Sequence, residues 1–338
     1  MKKIFSLLLL FAAIVIIGDK SMANEVLTKK QQNIVKISSY TASGDLKNLE
    51  TAVKQGLDEG LTVNEIKEVM IQLYAYCGFP RSLNALSTLQ KAAKEGDYKS
   101  GKEGKALAAD ADKNEIGEKT QTELVGFPVK GEVYEFAPAI DSFLKEHLFA
   151  DIFARGVLTN QEREVATIAA LSTLDGVAPQ LAGHIQIGKN TGLKQEQVDE
   201  ILKITSSIPK AGPFGLGSEN TAYAKYFIGT SYLNPLTTDG VASANVTFEP
   251  GCRNNWHIHH KGGQILLVTQ GRGYYQEWDK PARELKAGDV VNIPEGVKHW
   301  HGAAKDSWFS HIAISVPADG AYTEWLEEVN DKDYGLLK

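Results

Sequence analysis

Apolar residues in the first two thirds of the chain recur at helical spacing. Ile34, Ile37 and Tyr40 or Thr41 mark one face after Leu27-Thr28, and Ile66, Val69, Met70 and Leu73 mark another after Thr62-Val63-Asn64-Glu65. Thr62 with Glu65 three residues on predicts a capping box: the threonine oxygen accepts an early helical N–H, and the glutamate reaches back to the cap. Gly60 closes the preceding helix, in a left-handed position that glycine adopts without steric cost. From about residue 220 the period shortens to two. Val241–Phe248, Gln264–Val268, Tyr274–Trp278, Val290–Ile293 and His311–Val316 are β-prone, and Gly/Pro turns such as Pro250-Gly251, Gly271-Arg272-Gly273 and Pro294-Glu295-Gly296 separate them. Short strands at spacings of roughly ten residues predict a jelly-roll barrel or sandwich. A last helix is expected at about Tyr322–Val329, on the outside of the barrel or against the helical half.

The expected fold class is therefore multidomain, α then β. The helical part carries an internal repeat. Leu27-Thr28 recurs as Leu158-Thr159, where Thr159 and Glu162 form a second capping box. Leu49, Gly56, Gly60-Leu61 and Glu68 recur as Leu181, Gly188, Gly192-Leu193 and Glu200, at a constant offset of 132. Residues 94–135 are rich in Lys, Gly, Asp and Glu and read as an exposed connection. The expected boundaries are a signal peptide at 1–23, a first repeat at 24–95, a linker at 96–135, a second repeat at 136–215 and the barrel at 216–338.

The first residues change the picture of location. Met1-Lys2-Lys3, an apolar run from Ile4 to Ile17, then Ser21-Met22-Ala23 fit a cleavable secretory signal with its cut after Ala23. The run is short beside the ~20 apolar residues of a membrane span. A periplasmic or secreted protein with no stable membrane anchor after cleavage is expected. The 338 residues are 43% hydrophobic and 23% charged, enough for two packed cores. Only two cysteines, Cys77 and Cys252, are present, which excludes a disulfide scaffold. The net charge of -6 excludes a nucleic-acid partner held by bulk charge, and the partner expected is a small-molecule substrate.

Candidate chemistry concentrates late in the chain. Five of the eight histidines, His257, His259, His260, His299 and His301, fall within 45 residues. Strand alternation places His257 and His259 on one face and His260 on the other, while His299 and His301 share a face. An inward set of His257, His259, Gln264 and His299 brings three imidazoles and one amide oxygen to one point. Imidazole suits Zn, Mn, Fe, Co, Ni and Cu alike, so these ligands do not choose the metal. The set holds no carboxylate, so a divalent ion there keeps its full charge and favours an anion or alkoxide. His301 is placed to take or return a proton, and His311 to orient it or to bind a leaving group. That combination predicts lyase or isomerase chemistry next to an oxygen.

Two resemblances extend this reading. The stretch from Leu158 to Glu200, with the Gly78-Phe79-Pro80 helix end after Glu68, resembles the carboxymuconolactone decarboxylase-like family. The resemblance implies all-helical repeats and a homo-oligomer, since members assemble as rings. Its alkylhydroperoxidase-D-type peroxidases use a glutamate, a Cys-x-x-Cys pair and a histidine. The glutamate falls on Glu164 and the histidine on His184, as candidate catalytic residues or as a hydrogen-bonded pair inside the bundle. The cysteines would fall near Val177 and on Gln180, so the redox pair is missing.

Gly251-x5-His257-x-His259-x4-Gln264-x6-Gly271, followed by Gly288-x5-Pro294-x-Gly296-x2-His299, resembles the two-part cupin motif, with glutamine where most cupins carry glutamate. Trp256-His257-x-His259, Gly263-Gln264 and His299-Trp300-His301-Gly302-Ala303 look like the branch that includes manganese-dependent bacterial hydroxynitrile lyases. The resemblance implies that Gln264 is a metal ligand and that His301, His311, Ala244 and Val246 line the pocket. It also implies one divalent transition metal, manganese first, with zinc, iron, nickel or cobalt as alternatives. The expected function is that of an exported metal-dependent cupin enzyme on a helical platform, with lyase or decarboxylase-type chemistry on a small hydroxy or carbonyl compound. The alternatives are a peroxidase or antioxidant activity of the helical half, and a non-catalytic metal-containing protein that binds a small molecule.

Overall fold

The computed structural model describes residues 25–209 and 212–337. The expected signal peptide lies outside the described residues. No described helix is long and apolar enough to cross a membrane.

Each helical repeat opens with a cap. Helix α1 (Lys29–Ser43) starts at Thr28, α2 (Leu46–Asp58) at Asp45, and α3 (Val63–Lys94) at Thr62; Thr28 and Thr62 form complete capping boxes with Gln31 and Glu65. Helix α3 is two helices joined at a kink at Gly78 (φ 83°, ψ 158°), beside which Pro80 removes a backbone donor from the ladder. The connection that follows contains α4 (Lys113–Val125), α5 (Glu132–Phe136) and α6 (Pro138–Ser142) and runs into a π-helix at Phe143–Ile152. The second repeat is α7 (Asn160–Leu171), α8 (Ala178–Asn190) and α9 (Gln195–Ser206), with the Thr159–Glu162 capping box in place.

The repeats share one core. Leu27, Ile34, Leu49, Ile66 and Leu73 from the first pack with Val165, Ile168, Leu193 and Ile201 from the second. The two repeated glycines are explained by close approach. A Cβ added at Gly56 would lie 3.1 Å from Leu61 Cδ1 and 3.3 Å from Ile37 Cδ1. One added at Gly188 would lie 2.9 Å from Leu193 Cδ1 and 3.0 Å from Ile168 Cδ1. Between the repeats runs an ion pair: the half-buried Arg155 donates from Nε and Nη2 to the fully buried Glu68 carboxylate at 2.7 and 3.0 Å.

The C-terminal half is a curled antiparallel sheet. Its strands are β1 (Ser218–Glu219), β2 (Phe227–Ile228), β3 (Ser231–Thr237), β4 (Ser243–Phe248), β5 (Arg253–Asn254), β6 (His257–His260), β7 (Gln264–Glu277), β8 (Arg283–Lys286), β9 (Val290–Ile293), β10 (His299–Ala303), β11 (Phe309–Ser315) and β12 (Tyr322–Trp325). The main hydrogen-bonded order is β1-β3-β4-β11-β7-β10-β5-β2, with β6 between β10 and β12, and β8 and β9 on β7. The two β-prone runs Gln264–Val268 and Tyr274–Trp278 are one strand, β7, which passes through the Gly271 turn signal without ending. Gly271 is required there for contact: a Cβ would lie 1.7 Å from the Trp308 carbonyl oxygen. This is the jelly roll expected from the turn spacing, filled by Phe248, Leu266, Leu285, Ile293 and Phe309.

The helix expected at Tyr322–Val329 is not formed. Tyr322–Trp325 is strand β12, paired with β6 in the register Tyr322–His260, Thr323–His259, Glu324–Ile258 and Trp325–His257, and the only described helix beyond it is the short α10 (Asp331–Gly335). Pairing to the unsatisfied edge of β6 outweighs local propensity, and the aromatic and β-branched residues suit a pleated surface. The two halves touch where Trp308 Nε1 donates to the Ser206 carbonyl at the end of α9, at 2.6 Å.

Candidate metal centre and helical acid–base pair

Strand pairing assembles the histidines. His257 and His299 are register partners on β6 and β10, with ring centroids 4.0 Å apart. His259, two residues along β6, points to the same side. One nitrogen from each of the three rings lies within 4.8 Å of the others. His260 faces outward, where its ring meets the Glu324 carboxylate at 2.7 Å and stacks on Tyr322.

Each of the three rings is held by its other nitrogen. Nδ1 of His257 donates to the Asn255 carbonyl at 3.0 Å and Nδ1 of His299 to the Val297 carbonyl at 2.9 Å, and Nδ1 of His259 lies 3.1 Å from Thr323 Oγ1. A carbonyl can only accept, so Nδ1 carries the proton in His257 and His299 and the lone pair is left on Nε2. The Nε2 atoms of His259 and His299 and Oε1 of Gln264 are buried with no hydrogen-bond partner. Buried acceptors without donors need an explanation, and a cation supplies one. Burial also favours the neutral imidazole that a metal requires. It holds His257 well below the usual histidine range, lowers His259, and takes His299 to about 4. The donor set of three imidazole nitrogens and one amide oxygen fits a divalent transition metal.

Behind the triad lie His301 and His311. His301 is fully buried beside His257 and His299, and its ring meets that of His311 edge-on at 4.9 Å. Its backbone N–H donates to Asn254 Oδ1 at 3.0 Å, and its ring lies 3.1 Å from Asn254 Nδ2. His311 sits at a register irregularity between β11 and β7, packed between Phe248 and Phe309, and neither of its ring nitrogens has a partner. Burial lowers His301 well below its ordinary value and His311 to about 3. Val246 pairs with His311 and Ala244 with Ala313 across β4 and β11, which places both pocket candidates on the strand beside His311.

The residues that hold and surround the metal set are less visible in sequence. Thr323 belongs to the strand expected as helix; its signal is the Tyr-Thr-Glu-Trp run of β-formers. Tyr275 is the register partner of His301 and lies against His299, with ring centroids 5.7 Å apart. The Trp325 ring lies tilted against His257, with ring centroids 4.7 Å apart. Trp256 and Trp300 pack outside the barrel with Tyr274 and Tyr334.

In the helical half, His184 Nδ1 lies 2.8 Å from Glu164 Oε2, and Glu164 is fully buried with its other oxygen unpartnered. Tyr76 meets the His184 ring edge-on at 5.2 Å. In the first repeat Asn33 stands where Glu164 stands in the second, each packed on its repeated glycine. Cys77 donates its thiol to the Leu73 carbonyl and packs on the shared core, and burial pushes that thiol up, away from thiolate.

Known proteins place both halves. A model of the cupin domain matches residues 244–314, and a model of the carboxymuconolactone decarboxylase family matches residues 9–91 and 138–211. An (R)-mandelonitrile lyase from Granulicella tundricola is 40% identical over 139 residues, spanning 40% of this chain and 98% of that protein. A germin-like protein, subfamily 1 member 4, from Arabidopsis thaliana is 26% identical over 136 residues, covering 38% of this chain and 57% of its own length. Among solved structures, a cupin-like protein from Thermotoga maritima is 46% identical and covers 36% of this chain and 93% of its own, with a TM-score of 0.34. The chain belongs to the cupin family through its barrel, and it carries carboxymuconolactone decarboxylase-family repeats ahead of that barrel.

Proposed function

We propose that the barrel is a divalent-metal-dependent lyase acting on a small hydroxy or carbonyl compound, with manganese as the first candidate metal. The observation that carries this reading is the convergence of three buried imidazoles, each with its second nitrogen held by a protein oxygen. The likeness to an (R)-mandelonitrile lyase supports the reaction class. His257, His259, His299 and Gln264 would hold the ion, which would supply positive charge for an oxygen that loses its proton as the neighbouring carbon releases its leaving group. The Asn255 and Val297 carbonyls and Thr323 orient the ligand rings. Phe248, Phe309 and Val246 exclude water and strengthen each polar contact inside. His301 and His311 hold or move the proton at that oxygen or at the leaving group.

Elemental analysis of the purified protein, followed by a screen of small hydroxy acids, lactones and cyanohydrins with and without chelator, tests the proposal. Turnover that disappears with chelator, returns with manganese and is absent from a folded His257→Ala variant is expected. Turnover unaffected by complete metal removal would refute it. Tight binding without product would favour the non-catalytic reading. The peroxidase reading has no comparable support, because the positions for its cysteines hold Val177 and Gln180.

The Met1–Ala23 pattern supports export to the periplasm or beyond, testable by sequencing the N-terminus of the mature protein. The exposed aromatics Phe79, Phe127, Phe136 and Phe143 support a homo-oligomer assembled through the helical half, testable by light scattering.

A further inference from the structure

Strand β12 sends two side chains toward the metal set, and each meets a different ligand ring. Thr323, the register partner of His259, holds that ring at Nδ1. Trp325, the register partner of His257, packs against the ring itself, with centroids 4.7 Å apart and planes 31° from parallel. At its edge His257 is held by the Asn255 carbonyl, 3.0 Å from Nδ1. The second side-chain torsion of a histidine is broad, so one hydrogen bond at Nδ1 does not set the plane of the ring. A flat neighbour does. The indole is itself held, because Tyr226, the last residue of the short 3-10 helix Thr221–Tyr226, stacks on it with centroids 4.7 Å apart and planes 7° from parallel. The Tyr226 carbonyl accepts the Asn255 N–H at 2.8 Å. Both groups that hold His257, one at its edge and one against its plane, are thus tied to Tyr226.

We infer that Trp325, backed by Tyr226, is a positioning residue for the metal centre: it fixes the plane of the His257 ring and so the direction in which Nε2 is offered to the ion. The inference rests on the three histidines being a metal set, and not on which reaction the metal serves. Trp325 acts only through His257. A ligand ring already fixed in place loses little freedom when the ion arrives, so more of the binding energy appears as affinity. The indole also keeps water from one side of a ring that is almost wholly buried. Strand β12 therefore serves two ligands by two means, a hydroxyl for His259 and a flat ring for His257.

The test uses the full chain, first metal-free and then loaded with cobalt(II). In the metal-free protein the ring current of the indole should displace the proton resonances of the His257 ring, which are the signals lost in His257→Asn. Trp325→Leu should return them toward ordinary imidazole positions, and Trp325→Phe, which keeps a flat ring there, should preserve part of the displacement. Cobalt(II) then reports the geometry of its ligands through its visible absorption. Trp325→Leu should alter the shape of that spectrum and weaken cobalt binding by about 10–100-fold in a competition titration, the range for groups that orient metal ligands. Trp325→Phe should recover most of both, and Tyr226→Leu should reproduce the change in weaker form with Trp325 still present. Undisplaced His257 signals in the wild type, or a Trp325→Leu protein whose cobalt spectrum and affinity match the wild type, would overturn the inference. A wild type that takes up no cobalt, while Trp325→Leu still moves the His257 signals, would instead overturn the metal reading on which it rests.

Discussion

His311 offers a direct test of how the barrel trades stability for chemistry. Its ring is fully buried between Phe248 and Phe309, with both nitrogens unpartnered. A buried donor or acceptor left unmade costs about 1–3 kcal/mol. His311→Leu removes both nitrogens at nearly conserved volume, so the barrel should gain about 1–3 kcal/mol at pH 7 while losing turnover. The effect should grow in acid. Burial lowers the folded-state value to about 3, while the unfolded chain titrates near 6.5. Below pH 6.5 the unfolded state therefore binds a proton that the folded state refuses, and the wild-type loses stability as pH falls, down to about 3. Each pH unit in that window is about 1.4 kcal/mol, so at pH 5 the wild-type pays about 2 kcal/mol that the leucine variant does not. All five tryptophans lie in the barrel half, so their fluorescence in urea titrations follows chiefly that half. Measurements on metal-free protein at pH 7 and pH 5 should give an advantage for His311→Leu that widens in acid. A destabilised variant at pH 7, or an advantage that does not change between the two pH values, would refute the reasoning.

Thr323→Val removes the hydroxyl that holds His259 Nδ1 without touching His259 Nε2; metal affinity should fall by about 10–100-fold in a competition titration. Gly188→Ala forces a Cβ against Leu193 and Ile168 and should destabilise the helical half by about 1–3 kcal/mol, seen as an earlier transition in far-ultraviolet circular dichroism. Arg155→Met leaves the buried Glu68 carboxylate without its bidentate partner and should lower helical stability by about 3–5 kcal/mol, much of which Glu68→Gln in the same chain should restore.

The local determinants of this protein are written in its sequence. The capping boxes at Thr62 and Thr159, the break at Gly78-Pro80, the repeated glycines and the change of period near residue 220 all act over a few residues. A few residues are enough to show them. The convergence of the three histidines was equally legible, because strand alternation alone puts His257 and His259 on one face and motif spacing brings in His299. What remained hidden depends on partners distant along the chain. Tyr322–Trp325 becomes strand because β6 offers it an open edge, and only that pairing brings Thr323 to His259. Asn254 reaches the His301 backbone across a gap that no local pattern spans. Sequence determines which side chains can carry the chemistry, since that is a property of the residues themselves. Their protonation and orientation were decided by the tertiary structure, because burial and hydrogen bonding come from neighbours that only folding supplies.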